Sequence, residues 1–208
     1  MEPRASFSSL TAGLVQDILR HLDLKGQGQA ACVSKLCAAA VLPLAPALAH
    51  YVTVGDAPAV RRLLQKPDAR LGLDNPSCGY GKTPLLKAVV QDNAEIMAAL
   101  LEAGAVIEAR DTYGSTALIM CAAWGRVSML TALLAAGAAL EAELKNGWRA
   151  LHHAAARGHG PVLAKLIAAG ADLAATTNYG ETAQQLAQAA GRSGAAAVFW
   201  RQEDKAGS

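Results

Sequence analysis

Aromatic residues are scarce in this sequence, at 4% of 208 positions, although 52% of the chain is apolar. A core made almost without large rings has to be made of alanine and leucine, and both favour the helix. The chain is long enough for one or two domains with a sizeable core. Long apolar runs are missing too: the longest, Cys37 to Ala49, is too short to span a bilayer and is interrupted by Pro43 and Pro46. No membrane-spanning helix is expected. Charge of one sign is also lacking. With a net charge of +2 and no basic block, nothing points to nucleic acid or to an acidic membrane surface as a partner.

The four cysteines, Cys32, Cys37, Cys78 and Cys121, lack metal-ligand spacing and sit among alanine and glycine. They read as small buried or neutral residues in a reducing compartment, not as a disulfide framework. Glu2 and Pro3 beside Arg4, with no compact apolar run before Leu10, argue against a secretory signal. The expected location is the cytoplasm, the nucleus or both. Catalytic signatures are equally absent: there is no nucleophile elbow of the G-x-S-x-G type, no complete phosphate-cradling loop and no paired carboxylates in a cleft-forming context. Gly79-Tyr80-Gly81-Lys82-Thr83 imitates the tail of a phosphate loop but has neither its leading glycine nor a preceding strand. An enzyme is not expected, nor a cofactor.

What the chain does have is a period. Gly81, Gly114, Gly147 and Gly180 fall 33 residues apart, each closing a short polar turn ahead of a helix-like segment. In phase with them run the pairs Gly104-Ala105, Gly137-Ala138 and Gly170-Ala171, and the apolar pairs Leu100-Leu101, Leu133-Leu134, Leu166-Ile167 and Phe199-Trp200. One unit explains the spacing. Thr83 can cap a helix that opens with Pro84, whose missing N–H has no intrahelical partner at that position. That helix reaches Gln91-Asp92, a second runs from about Ala94 to Ala103, and Gly104 supplies the left-handed residue that ends it. Such a unit cannot bury its own apolar face, so Leu100 and Leu101 have to pack on neighbouring units.

On these residues, 81–200 resemble an ankyrin-repeat domain. The family's D-x-x-G-x-T-P-L-H-x-A-A-x-x-G pattern appears as Asp111-Thr112-Tyr113-Gly114-Ser115-Thr116-Ala117-Leu118, and its later half as Leu151-His152-His153-Ala154-Ala155 with Gly158-His159. Upstream, Gly55 to Leu64 resembles a second helix, but Leu64 lies 37 residues before Leu101; a four-residue insertion through Pro67, Gly72, Pro76 and Gly79 accounts for the difference. At the other end, Thr182-Ala183-Gln184-Gln185 has polar residues where leucine is usual, as suits a terminal cap. The resemblance implies an all-α solenoid of helix-turn-helix units joined by β-hairpin-like turns, about four and a half repeats over residues 48–200, with a disordered tail at 201–208.

Residues 1–47 are a different kind of text. Leu10, Leu14, Ile18 and Leu22 recur every four residues as the apolar stripe of a helix that stops in Lys25-Gly26-Gln27-Gly28. Gln29 to Val41 can form a second helix carrying Val33 and Leu36, ended by Pro43. This hairpin can be a cap on the first repeat. It also resembles an F-box, the module by which substrate receptors dock onto the Skp-type adaptor of a cullin-based ubiquitin ligase. Leu10-Thr11-Ala12-Gly13-Leu14 through Leu22-Asp23, and then Val33-Ser34-Lys35-Leu36-Cys37, follow the F-box register without a gap across 28 positions. Thr11 replaces its proline, Gly13 an acidic residue, Gln27 a leucine and Cys37 the tryptophan. The resemblance implies adaptor docking through Leu10, Leu14, Ile18, Leu22, Val33 and Leu36, and a ligase adaptor whose repeats hold the target.

In an ankyrin array the turns project like fingers and the first helices line a concave palm. The positions beside the turn glycines are Tyr80 and Lys82; Thr112, Tyr113 and Ser115; Lys145, Asn146 and Trp148; and Asn178, Tyr179 and Glu181. Trp124 and Arg157 lie further along the palm. Five of the nine aromatic residues thus fall on one predicted surface, and Tyr, Trp and Arg are the types enriched at interface hot spots. The expected ligand is a protein with an extended or helical segment. His152, His153 and His159 lie close together, but two of them take positions where the ankyrin pattern places histidine for hydrogen bonding between turns, so no metal site is expected.

Overall fold

The structure, a computed structural model, describes residues 44–66, 72–76, 78 and 80–206, with side chains between 47 and 199. Cys32, Cys37, Pro67, Gly79 and the adaptor-docking positions Leu10, Leu14, Ile18, Leu22, Val33 and Leu36 lie outside the described residues. Within them the chain is all-helical, with no strand. Helices α1 (Leu44–Val54), α2 (Ala57–Leu64), α3 (Pro84–Val90), α4 (Ala94–Glu102), α5 (Ala117–Trp124), α6 (Val127–Ala135), α7 (Ala150–Arg157), α8 (Gly160–Ala168), α9 (Ala183–Ala189) and α10 (Ser193–Ala206) follow one another as five pairs. The odd-numbered helices pack on each other in sequence, and so do the even-numbered ones. The result is two helical layers, as expected of an all-α solenoid.

Caps fix where each helix begins. The hydroxyls of Thr83, Thr116 and Thr182 accept from the backbone N–H of Leu86, Ile119 and Gln185. In the remaining full unit Arg149 holds that position, and the helix start is fixed from the other side: His152 Nδ1 accepts the Arg149 N–H at 3.0 Å, as Gln185 does for Thr182. Asp56 and Asn93 cap α2 and α4 by accepting from Ala59 and Ile96.

Two of the three periodic signals of the sequence reduce to one motif at the ends of α4, α6 and α8. Ala105 N–H donates to Leu100 O and Gly104 N–H to Leu101 O; Ala138 and Gly137 repeat this on Leu133 and Leu134, and Ala171 and Gly170 on Leu166 and Ile167. These are the two hydrogen bonds of a Schellman cap, which require a left-handed residue at the glycine and bring the following alanine onto the leucine one turn back. The glycines hold φ of +90°, +86° and +91°. One geometry therefore demands the Gly-Ala pair and the apolar pair together.

A further left-handed series ends the first helices: Gly125, Gly158 and Gly191, with Asp92 at φ +58° serving for α3. Gly55, also left-handed, ends α1 and lies 37 residues before Asp92. The insertion expected in the connection after Leu64 is therefore present, and Leu73, 2% exposed, anchors it.

The structure adds to the sequence reading at both ends of the described residues. Helix α1 precedes the expected lone second helix, so the described residues hold five helix pairs, the first beginning at Leu44. Pro46, read as an interruption, sits in the first turn of α1, where an N–H would have no intrahelical partner. At the other end α10 runs to Ala206, through most of the stretch expected as a disordered tail. Its opening turns bury Ala195, Ala196 and Phe199, and the Arg, Gln, Glu, Lys and Ala that follow have high helix propensity.

The core is leucine and alanine with almost no aromatics. Leu85, Leu86, Leu100, Leu118, Leu130, Leu133, Leu163 and Leu166 are buried, as are Ala88, Ala122, Ala154, Ala155 and Ala187. Small side chains on the odd-numbered helices let neighbouring units approach closely while keeping interior packing density. On the far side of the array carboxylates bind the connecting loops: Asp74 accepts from Val106 N–H, Glu108 from Ala139 and Glu141 from Asp172.

Candidate functional site

The fingers are hairpin-like turns locked from within. Asp111, 9% exposed, accepts through one carboxylate oxygen from the N–H of Tyr113 at 2.9 Å and of Ser115 at 2.8 Å. The Thr177 hydroxyl does the same for Tyr179 and Glu181. Bridges between Glu143 and Arg149 and between Thr176 and Thr182 close the bases of the last two turns. Successive fingers are then tied together. Thr112 donates to the Tyr80 carbonyl from both its N–H and its hydroxyl. Asn178 donates from its N–H to Asn146 O and from its side chain to Lys145 O at 3.0 Å.

These bonds sort the candidate positions. Thr112, Asn146 and Asn178 have side chains engaged in holding fingers together or in shaping them, the Asn146 carboxamide accepting from Trp148 N–H. Tyr80, Tyr113 and Tyr179 use only backbone groups for that purpose, and their rings stand out at 72%, 65% and 78% exposure. Lys145 is exposed, whereas Lys82, Ser115 and Glu181 are half-buried, and the Lys82 ammonium lies 4.8 Å from the Tyr80 ring centroid.

On the palm, Trp124 ends α5 at 41% exposure, with the Arg126 guanidinium 5.6 Å from its ring. Arg126 is in turn paired with Asp92. Arg157, in the corresponding place on α7, is exposed and donates to Ala123 O at 2.9 Å, which ties the ends of the two helices. Trp148 is half-buried, its ring 4.9 Å from that of His153 and tilted against it. Part of Trp148 therefore supports the finger, and only the remainder is open to a partner.

Trp124 and Arg157 meet Lys82, Tyr113 and Ser115 around one depression of about 250 Å³. Lys145, Asn146, Asn178, Tyr179 and Glu181 lie outside it. Its floor is Ile119, Met120, Ala123 and His153; the sequence reading did not single out the first three, and took His153 only with the neighbouring histidines, not as part of the binding surface. The signal was available: Met120 and His153 stand one helical turn before Trp124 and Arg157, and the 33-residue period puts both in one column. His153 is half-buried, and its Nε2 is buried without a hydrogen-bond partner. Burial, then the neighbouring Arg157, then His152 push its pKa down to about 4, so the ring is neutral at pH 7.

His152 and His159 are structural. His152 is fully buried, accepts from Arg149 at Nδ1 and donates from Nε2 to Ala175 O at 3.0 Å, joining one unit to the next. His159 Nε2 lies 3.1 Å from Ala123 O. Cys121 is buried, which raises its thiol pKa to about 12, and Cys78 is raised by burial as well. Both are free thiols.

The palm and fingers can present aromatic faces, two cations and backbone edges to an extended chain. Two family models match the sequence: ankyrin repeats (3 copies) over residues 48–143, and ankyrin repeats (many copies) over residues 133–187. No curated protein matches it. The two matches run without a break from 48 to 187, about two thirds of the chain. With its paired helices, projecting turns and Schellman-capped period, the chain belongs to the ankyrin-repeat family, whose arrays are protein–protein interaction modules.

Proposed function

We propose that the chain is a non-enzymatic scaffold that grips a segment of a partner protein between the finger tips and the palm formed by α3, α5 and α7. The observation that carries this reading is the placement of the aromatics. In a molecule whose core is nearly free of rings, Tyr113 and Trp124 stand exposed around one groove, with the exposed Tyr80 ring against Lys82 at its edge, and such rings are the usual anchors of an interface. Trp124→Ala should weaken the partner by more than about 1 kcal/mol, roughly a fivefold rise in Kd, with an unchanged melting curve. Trp148→Ala should also weaken binding, with some loss of stability because its ring packs on His153. A Trp124→Ala protein that binds as tightly as the parent removes the support for the groove.

A second, finer reading is that the scaffold recruits substrates to a cullin-type ubiquitin ligase. Its support is the gap-free F-box register from Leu10 to Cys37, and a layout in which one end holds the ligase and the other the target. A pull-down decides it. The intact chain should retain a Skp-type adaptor and a Leu14→Asp/Val33→Asp double variant should not, since burying unpaired carboxylates is costly. If the intact chain does not bind a cognate adaptor at tens of micromolar, the plain scaffold stands, with the N-terminal helices as a cap. The location expected on either reading remains cytoplasmic, nuclear or both.

A further inference from the structure

The groove has a sign as well as a shape. None of the inner helices α1, α3, α5, α7 and α9 contains an aspartate or glutamate; their lysines and arginines are Lys87 and Arg157. Of the acids, Asp74, Glu108 and Glu141 accept backbone N–H groups of the outer loops, Glu141, Glu143 and Asp172 surround Arg149, and Asp111 and Glu181 belong to the finger turns. The helices of the concave side are thus left without carboxylates.

The cations of that side are also unspent. Arg61, Arg126 and Arg149 each have a carboxylate partner. Among the described residues no carboxylate lies within ion-pair distance of Lys82, Lys87 or Arg157. Arg157 uses one guanidinium nitrogen on Ala123 O, and Lys82 rests on the Tyr80 ring. The one acid at the groove, Asp111, is already committed to the Tyr113 and Ser115 amides. Beside Arg157, His153 leaves a buried ring nitrogen without a partner. Around these groups Tyr113, Met120 and Trp124 supply apolar wall. A carboxylate entering here meets uncompensated positive charge in a partly desolvated place, where such a pair is stronger than on open surface.

From this placement we infer that the groove seats the carboxylate of an acidic segment of a partner protein between Lys82 and Arg157, with a neighbouring large apolar residue of that segment on Trp124 and Met120. The inference rests on the proposed use of the groove and adds the chemistry of what fills it.

The experiment selects peptides from a random library displayed on phage, using the immobilised full chain as bait, and measures the winners as labelled synthetic peptides by fluorescence anisotropy. The expected winners carry Asp or Glu beside Leu, Phe or Trp. Their Kd rises at least about tenfold with Lys82→Gln and with Arg157→Gln, and rises with added salt. It is unchanged by Lys145→Gln, which removes an exposed cation outside the groove. Circular dichroism melts confirm folding, and Lys82→Gln is the safer variant because that ammonium makes no hydrogen bond among the described residues. Winners without acidic residues that lose affinity on Trp124→Ala but not on either charge variant overturn the inference and leave the groove standing. Winners indifferent to Trp124→Ala and to both charge variants, or no winners at all, overturn the groove as well. A single-stranded oligonucleotide that binds more tightly than the peptides and displaces them assigns the positive surface to nucleic acid and also overturns the inference.

Discussion

Gly147 and Gly180 occupy the same place in successive fingers, with φ of +75° and +76°, yet an added methyl group meets different surroundings. At Gly180 a Cβ would find nothing within 4 Å, so Gly180→Ala should cost only the left-handed backbone of an alanine, about 1–2 kcal/mol. At Gly147 the Cβ would lie 2.8 Å from the backbone nitrogen of Asn178 and 3.2 Å from the Thr177 carbonyl carbon. Backbone has to move there, and the Asn178 bonds to Asn146 O and Lys145 O are the ones disturbed. At roughly 0.5–1.5 kcal/mol each, their loss brings Gly147→Ala to about 2–5 kcal/mol. Urea titrations followed by far-ultraviolet circular dichroism and extrapolated linearly to water resolve the difference. Two variants within about 0.5 kcal/mol of each other would show that the fingers are not held together as described.

Further outcomes follow from single contacts. His153 is protonated near pH 6.5 when unfolded but only near 4 in the fold, so its contribution is complete above about pH 6.5 and is lost as the pH falls towards 4. The loss amounts to up to about 3 kcal/mol, and His153→Gln should show a flatter stability profile over that window; parallel profiles would contradict the burial of the ring. Asn93→Ala removes the oxygen that accepts the Ile96 N–H and should cost about 1 kcal/mol by thermal melting, with no change expected if α4 is capped otherwise. The Cys121 thiol, with its pKa near 12, should resist iodoacetamide at pH 8 until the chain is unfolded, as read by peptide mass spectrometry. Prompt labelling of native protein would refute its burial.

The repeat was legible because a Schellman cap needs a left-handed residue, which glycine adopts without strain, so geometry is written directly into Gly104, Gly137 and Gly170. The Thr83 cap was legible from the Thr-Pro pair that opens α3. Helix α1 was not, since Leu44–Val54 contains neither a 33-residue partner nor a glycine signal before Gly55, and Pro46 reads as a breaker unless the helix start is known. The length of α10 was missed because a charged run after the last apolar residues resembles a tail, whereas a helix already begun on Phe199 continues through it. The surface was half legible. Finger tips follow from the turn pattern, but the roles of Asn146 and Asn178 as ties depend on which neighbouring carbonyl each side chain reaches. His153 was read only with His152 and His159, and its place at the groove floor depends on how α7 packs beside α5.

The central claim is that partners bind across fingers and palm. Hydrogen exchange of the full chain with and without a selected peptide measures this directly. The account predicts added protection in the finger from Tyr80 to Thr83, in the Tyr113 finger with α5, and in α7, while α4, α6 and α8 exchange as in the free protein. Protection centred on α4, α6 and α8, with the fingers unchanged, would place the partner on the opposite face and contradict it.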